Sequence, residues 1–221
     1  LGSATSLQDE ATLANTSALV MTYATLNLNN NSGLQVNVGN RINDAAPVTL
    51  RGSTITYNGR AAVYASEKMG ALTVDQGANT ISANVNNGSG NFNSAILTFA
   101  SLTRSNNATL NFTGSNLGQL SNSGGIIFTT PPATVGGGYL GPWAIANTTD
   151  YAAYNASQGV GPAGQGGFAA YEADFGPGKV TQLTTVADRT LTLGPGTTTT
   201  GMLKIANAYT HNIEFTAATD V

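Results

Sequence analysis

The 221-residue chain is 41% hydrophobic but only 9% charged, against about 25% charged in ordinary soluble domains, so Thr, Asn, Ser and Gly must supply most of its polar surface. Those residues favour strands and turns, which argues against an all-α or α/β fold. The net charge of −3 with eight scattered Lys and Arg excludes a nucleic-acid footprint or a polybasic membrane patch, and the absence of cysteine excludes disulfides, thiolate metal sites and thiol nucleophiles.

Residues 1–24 are ambiguous. Ser6 with Asp9 or Glu10 resembles a capping box, but Thr12, Asn15, Thr16 and Val20 interrupt any helix, and irregular coil with strand is expected. Period-two alternation, which puts large side chains on one face of a strand, then recurs at 25–28, 34–38, 48–50, 54–57, 72–74, 80–85, 97–99 and 110–112. Gly, Asn or Asp separates nearly all of these runs. Taking Leu50, Leu72 and Leu97 as equivalent gives two nearly equal steps along the chain, within the range of solenoid repeats. Stacked coils of about 20 to 25 residues would merge their apolar rows into one core. Leu50, Leu72, Val74, Leu97, Phe99, Leu110 and Phe112 would then point inward.

Residues 131–180 differ, holding five of the seven Pro and many of the Gly and aromatic residues. This segment reads as an irregular insertion whose Trp143, Tyr151, Tyr154, Phe168 and Tyr171 pack against the solenoid wall, with Trp143 largely buried; the alternative is an aromatic sugar-binding platform. Alternation resumes at Leu191 and Leu193, Leu203 and Ile205, and Ile213 and Phe215. The expected fold is thus an all-β parallel β-solenoid, with coils over 1–130, the insertion over 131–180 and resumed solenoid strands over 181–221. No apolar stretch approaches the roughly 20 residues of a membrane helix, and residues 1–20 lack the pattern of a signal peptide. Either export signals were removed or the chain is a piece of a longer protein, and a piece is expected because it opens on "LGSATSLQDE" and stops on "IEFTAATDV" in a β-like run.

The order of "NRINDAAPVTLRGSTITYNG", "GALTVDQGANTISANV", "LTFASLTRSNNATLNFTGSNLG", "GPWAIANTTDYAAY" and "TLTLGPG" resembles the autotransporter-associated β-strand repeat proteins. The resemblance implies a bacterial surface or extracellular β-solenoid passenger region without cofactor or catalytic residues.

Residues able to carry chemistry are few. His211 and Glu214 would form half a metal site on a helix, but an offset of three on a strand turns them to opposite faces, so a surface histidine is expected. Glu172 and Asp174, two apart with Lys179 close by, are the best enzyme candidates, as the acid or base of a carbohydrate-active β-helix; a solvated edge is the plainer reading. Calcium-binding nonapeptides do not occur. Sequons at Asn15, Asn30, Asn87, Asn107, Asn111, Asn147 and Asn155 are what so Asn-rich a chain generates by chance. Asn is more simply read at corners, where it tolerates left-handed backbone and ladders its amide with the next rung, and Arg41, Arg51, Arg60 and Arg104 as solubilising positions on an outer face. The function expected is non-enzymatic: a structural or adhesive rod, without catalytic, cofactor or metal residues. Its partners would be neighbouring repeats, further copies joined end to end in a filament, or surface glycans.

Overall fold

The computed structural model describes residues 3–34, 36–86, 93–173, 176–183, 189–193, 201–205 and 211–215, the segments 189–193 and 211–215 as backbone only. Strands β1 (Ala4–Gln8), β2 (Leu19–Thr22) and β3 (Thr25–Asn29) open the fold. Three full coils follow: β4 (Val48–Arg51), β5 (Thr54–Asn58) and β6 (Tyr64–Met69); β7 (Leu72–Gln76), β8 (Ala78–Asn84) and β9 (Ser94–Phe99); β10 (Leu102–Arg104), β11 (Thr109–Gly114) and β12 (Ser123–Phe128). Each strand pairs in parallel with its counterpart one coil away. The first sheet stacks β1, β3, β5, β8 and β11, the second β2, β4, β7 and β10, and the third β6, β9 and β12. Each full coil thereby contributes to three sheets around one shared core, and every interior strand gains hydrogen bonds on both sides.

The all-β parallel solenoid expected from the sequence is what the chain forms, with about four coils. The coil length is a correction. Thr54 pairs with Thr80, Thr80 with Asn111, and Tyr64 with Ser94. These steps exceed the expected span of about 20 to 25 residues, because each full coil contains a third strand, whereas the step from Val48 to Leu72 in the second sheet stays within it. Leu50 aligns with Val74 in the second sheet, whereas Leu97 stands in the third and is not their equivalent. The run at 34–38 forms no strand among its described residues, and Leu34 is exposed. Residues 1–24 do supply strand and coil, as β1 and β2.

The inward rows are those the alternation selects. Leu50, Leu72, Val74, Leu97, Phe99, Leu110 and Phe112 are all buried, in a single core that runs from Leu7 to Val160. Met69, Phe99 and Phe128 share one register position in the third sheet. The rings of Phe99 and Phe128 stack at 6.0 Å, and Phe112 meets Phe128 edge-on at 6.4 Å. Between the second and first sheets the chain turns through left-handed residues: Tyr23 (φ 47°), Gly52 (φ 62°), Gly77 (φ 66°) and Asn106 and Asn107. Polar groups lace this corner from inside. Ala24 N donates to Ser53 Oγ, Ser53 N to Asn79 Oδ1, and Asn79 Nδ2 to the Thr109 carbonyl, so buried side chains occupy the backbone groups that the corner leaves unpaired.

Beyond β12, β13 (Ala144–Ala146) continues the first sheet in parallel beside β11. Consecutive left-handed residues Asn147 and Thr148 then reverse the chain, and β14 (Asp150–Asn155) and β15 (Gly159–Pro162) add antiparallel strands to the same sheet. The stacking thus gives way within the Gly-, Pro- and aromatic-rich segment only after one further parallel strand. β16 (Val180–Leu183) pairs in parallel with β18 (Met202–Ile205), and β17 (Arg189–Leu193) with β19 (His211–Phe215). A second small core of Tyr139, Ala163, Val180 and Met202 joins β16 and β18 to the meander.

The first and third sheets approach closely at their shared corner. A Cβ on Gly124 would overlap the Ala83 carbonyl oxygen, a backbone atom that cannot move aside, whereas a Cβ on Gly166 would meet nothing. Gly124→Ala should lower the unfolding free energy by about 2–3 kcal/mol, the cost of overpacking a tight interior, while Gly166→Ala stays within about 0.5 kcal/mol. Urea denaturation midpoints at constant slope check both.

Candidate functional site

Where a coil lacks a strand, side chains complete the stack. Strand β6 is the edge of the third sheet, because the preceding coil has no strand on that side among its described residues 30–34 and 36–47. Alternation in β6 turns Ala65, Glu67 and Met69 inward. The Glu67 carboxylate accepts from Arg41 N at 3.0 Å and Ile42 N at 2.8 Å, one backbone amide to each oxygen. The Arg41 guanidinium, wholly buried, donates to the carbonyls of Asp9, Ala11 and Asn29 and to Asn30 Oδ1. Asn30 in turn donates to Tyr57 Oη. Arg41 is therefore no outer-face position, which corrects the sequence reading; Arg51, Arg60 and Arg104 do reach solvent. Asn30, one of the sequons, is fully buried as well. Burial pushes the Glu67 carboxyl up, and the two amides and the Arg41 charge oppose that push.

The outer face of the first sheet carries rows of neutral polar side chains. Thr25, Thr54, Thr80 and Asn111 share one register position, and Asn27, Thr56, Ser82 and Thr113 another on the same face. At the strand ends the amides chain together: Asn84 Nδ2 donates to Asn58 Oδ1 at 3.1 Å, and Asn58 Nδ2 to Asn27 Oδ1 at 2.9 Å. The amide ladder expected at corners thus lies on a strand face, while the left-handed backbone expected of corner Asn is adopted by Asn106, Asn107, Asn116, Asn122 and Asn147.

The five insertion aromatics do not form one platform. Tyr154 packs on the main core and both donates to the Phe128 carbonyl (2.9 Å) and accepts from Phe128 N (3.2 Å), completing the far edge of the third sheet. Tyr151 and Tyr171 pack on the second core, and Phe168 lies against Gly118 and Gly161. Trp143 is half-buried rather than largely buried. It borders a cleft of about 290 Å³ with Thr80, Thr109, Asn111, Pro142 and Ile145, and the Arg104 guanidinium stands 5.5 Å over its ring.

Glu172 and Lys179 form an ion pair at 3.0 Å, both partly exposed, which matches a solvated edge. Asp174 and the side chains of His211 and Glu214 lie outside the described residues. No group of three or more His, Asp or Glu able to hold a metal occurs among the described residues. Sequence reasoning missed a different charged cluster. Asp150, on β14, pairs with Lys204, on β18, and accepts from Tyr171 Oη; Lys204 also sits 5.1 Å from the Tyr171 ring. Burial raises the Asp150 carboxyl, but Lys204, Thr149 and Tyr171 outweigh it and hold the group below its ordinary value, ionised and paired. The partners stand 54 positions apart in the chain, so no local spacing signals them. Glu67 did carry a signal, since it sits at an inward position of an alternating run. No family model, curated protein or solved structure matches the chain.

Removing the carboxylate with Glu67→Ala strands two buried amides and the Arg41 charge, and should cost about 3–5 kcal/mol, measured by chemical denaturation; Glu67→Gln, which keeps one acceptor, should cost less. A carboxyl whose folded pKa is lowered contributes stability above its unfolded value, and that contribution disappears as pH falls through the folded pKa. Asp150, Asp75 and Asp9 are all lowered. Asp150→Asn should therefore flatten the loss of stability below about pH 4, read from thermal melts across acid pH.

Proposed function

We propose that this chain is a non-enzymatic structural or adhesive segment of a bacterial surface or extracellular protein, a stiff rod that spaces or presents. The observation that supports this best is the use of its charged side chains. Arg41 and Glu67 are committed to backbone groups inside the coil, and Asp150 and Lys204 to each other, while the broad outer face of the first sheet is a row-by-row array of amides and hydroxyls. Such an array stiffens a stack of coils, and the β-solenoid fold is compatible with the surface role that the resemblance to autotransporter-associated repeats implies. The rod's neighbour is the next coil of a longer chain or a second copy. End-to-end contact between copies is heterologous and does not close, so its product is a filament.

Electron microscopy with light scattering at micromolar concentration tests the assembly, with linear particles that lengthen with concentration as the expected result. A monodisperse monomer throughout that range rules out the filament. Release of reducing sugar from a polysaccharide, abolished by Glu172→Gln, would replace the structural reading with a catalytic one.

A further inference from the structure

We propose that the cleft beside Trp143 binds a neutral polysaccharide chain, with the indole as stacking platform and Thr80, Thr109 and Asn111 as hydrogen-bonding partners for its hydroxyls. This goes beyond the rod reading and does not depend on it.

The ring is held in place before any ligand arrives. Arg104 Nε donates to the Ala108 carbonyl at 2.7 Å, which fixes the guanidinium over the indole, and the Gly141 backbone lies so close to the indole Nε1 edge that a Cβ there would stand 2.8 Å away. A platform already ordered loses little freedom on binding. Tyr57, Phe99, Phe112 and Phe128 of the solenoid are buried, and its exposed Tyr23 and Tyr64 do not border this cleft, so Trp143 is the aromatic that the cleft presents.

The polar groups around it are uncommitted. Among the described residues the Thr80 and Thr109 hydroxyls have no protein hydrogen bond, and Asn111 is engaged only through Oδ1, which accepts from Thr148 N at 3.3 Å; its amide N–H groups remain available. Asn27, Asn58 and Asn84, by contrast, are tied to one another on the same sheet face. Free hydroxyl and amide groups flanking an indole match the chemistry of a sugar, whose C–H face stacks on an aromatic ring while its rim hydroxyls seek donors and acceptors. None of the residues bordering the cleft ionises, so the fit is to a neutral glycan; Arg104 keeps its charge but stands over the indole, outside that lining, with Nε on the Ala108 carbonyl. The cleft's 290 Å³ is small for a whole oligosaccharide. The Thr80 register position continues to Thr54 and Thr25 on neighbouring strands, spaced about 4.8 Å apart, and offers further hydroxyls to a longer chain.

Trp143 is the sole tryptophan, so its emission reports directly on the cleft. Affinity electrophoresis of the full chain through gels containing glucomannan, mixed-linkage β-glucan, dextran or polygalacturonate, with fluorescence titration of any polymer that retards it, tests the proposal. The expected result is retardation by at least one neutral polymer, a saturable shift in Trp143 emission, and no weakening when salt rises from about 0.05 to 0.5 M. Trp143→Ala should weaken binding at least about tenfold, and Thr80→Ala and Asn111→Ala about three- to tenfold each, at unchanged melting temperature. If Trp143→Ala does not fold, Thr80→Ala and Asn111→Ala decide alone. Retardation by no neutral polymer, binding only to polygalacturonate and lost with salt, or binding unchanged in folded Trp143→Ala or in the Thr80 and Asn111 variants would each overturn it.

Discussion

A strand inside a parallel stack has its amides and carbonyls matched by the strands on either side, and the fold depends on meeting that demand where a neighbour is missing. Unpaired buried backbone groups are costly. At the near edge of the third sheet the Glu67 carboxylate takes the two amides of Arg41 and Ile42, while the Arg41 guanidinium gathers the carbonyls of Asp9, Ala11 and Asn29. At the far edge one phenol, Tyr154, serves both the amide and the carbonyl of Phe128. A carboxylate, a guanidinium and a hydroxyl thus stand in for backbone, each with the donor or acceptor count its place requires. Ser53 and Asn79 do the same at the corner between sheets.

Those substitutions separate what is legible in the sequence from what is not. Alternation locates β3, β5, β8 and β11 of the first sheet and β4 and β7 of the second, because Leu26, Ile55, Ile81 and Phe112 share one register position as unbroken apolar partners, but it does not single out β1, β2 or the short β10. It misses most of the third sheet. There Glu67 interrupts the apolar row of β6, and β12 opens on Ser123, Gly124 and Gly125, where the close approach of Ala83 to Gly124 calls for small size rather than strand propensity. With that sheet unseen, Leu97 passes for an equivalent of Leu50 and the coil looks too short. Arg41 lies beyond reach for another reason: its side-chain partners stand 11 to 32 residues away, in segments that only the coil brings together. The cleft residues Thr80, Asn111 and Trp143 are likewise neighbours across coils and not along the chain.

Scarcity of charge shapes the molecule as much as hydrophobic alternation does. With so few ionisable groups, even the partly exposed Arg51 is tied to Asp75, which also accepts from Ser105 and Asn106 at the next corner. The outer face is left to Thr, Ser and Asn, which suit a pleated surface and can bond to their counterparts a coil away. Neutral rows of this kind offer a partner hydrogen bonds and shape but little long-range attraction, so recognition there must be short-ranged and geometric.

The connections within a coil are unequal. From the third sheet to the second the chain needs only 70–71 and 100–101, and from the second to the first only 52–53, Gly77 and 105–108. From the first sheet to the third it takes the longer segments 59–63, 85–93 and 115–122. Differences in coil length are thus taken up mainly at one corner, while the paired strands keep their register apart from one shift between Leu50 and Arg51 in β4. Since lengthening a surface loop costs only slowly increasing closure entropy, the exposed positions of that corner, Ala62 and Gln119 to Ser121, are where the molecule accommodates insertion, while Val63, Val85 and Leu117 beside them pack in or against the core and hold the corner in place.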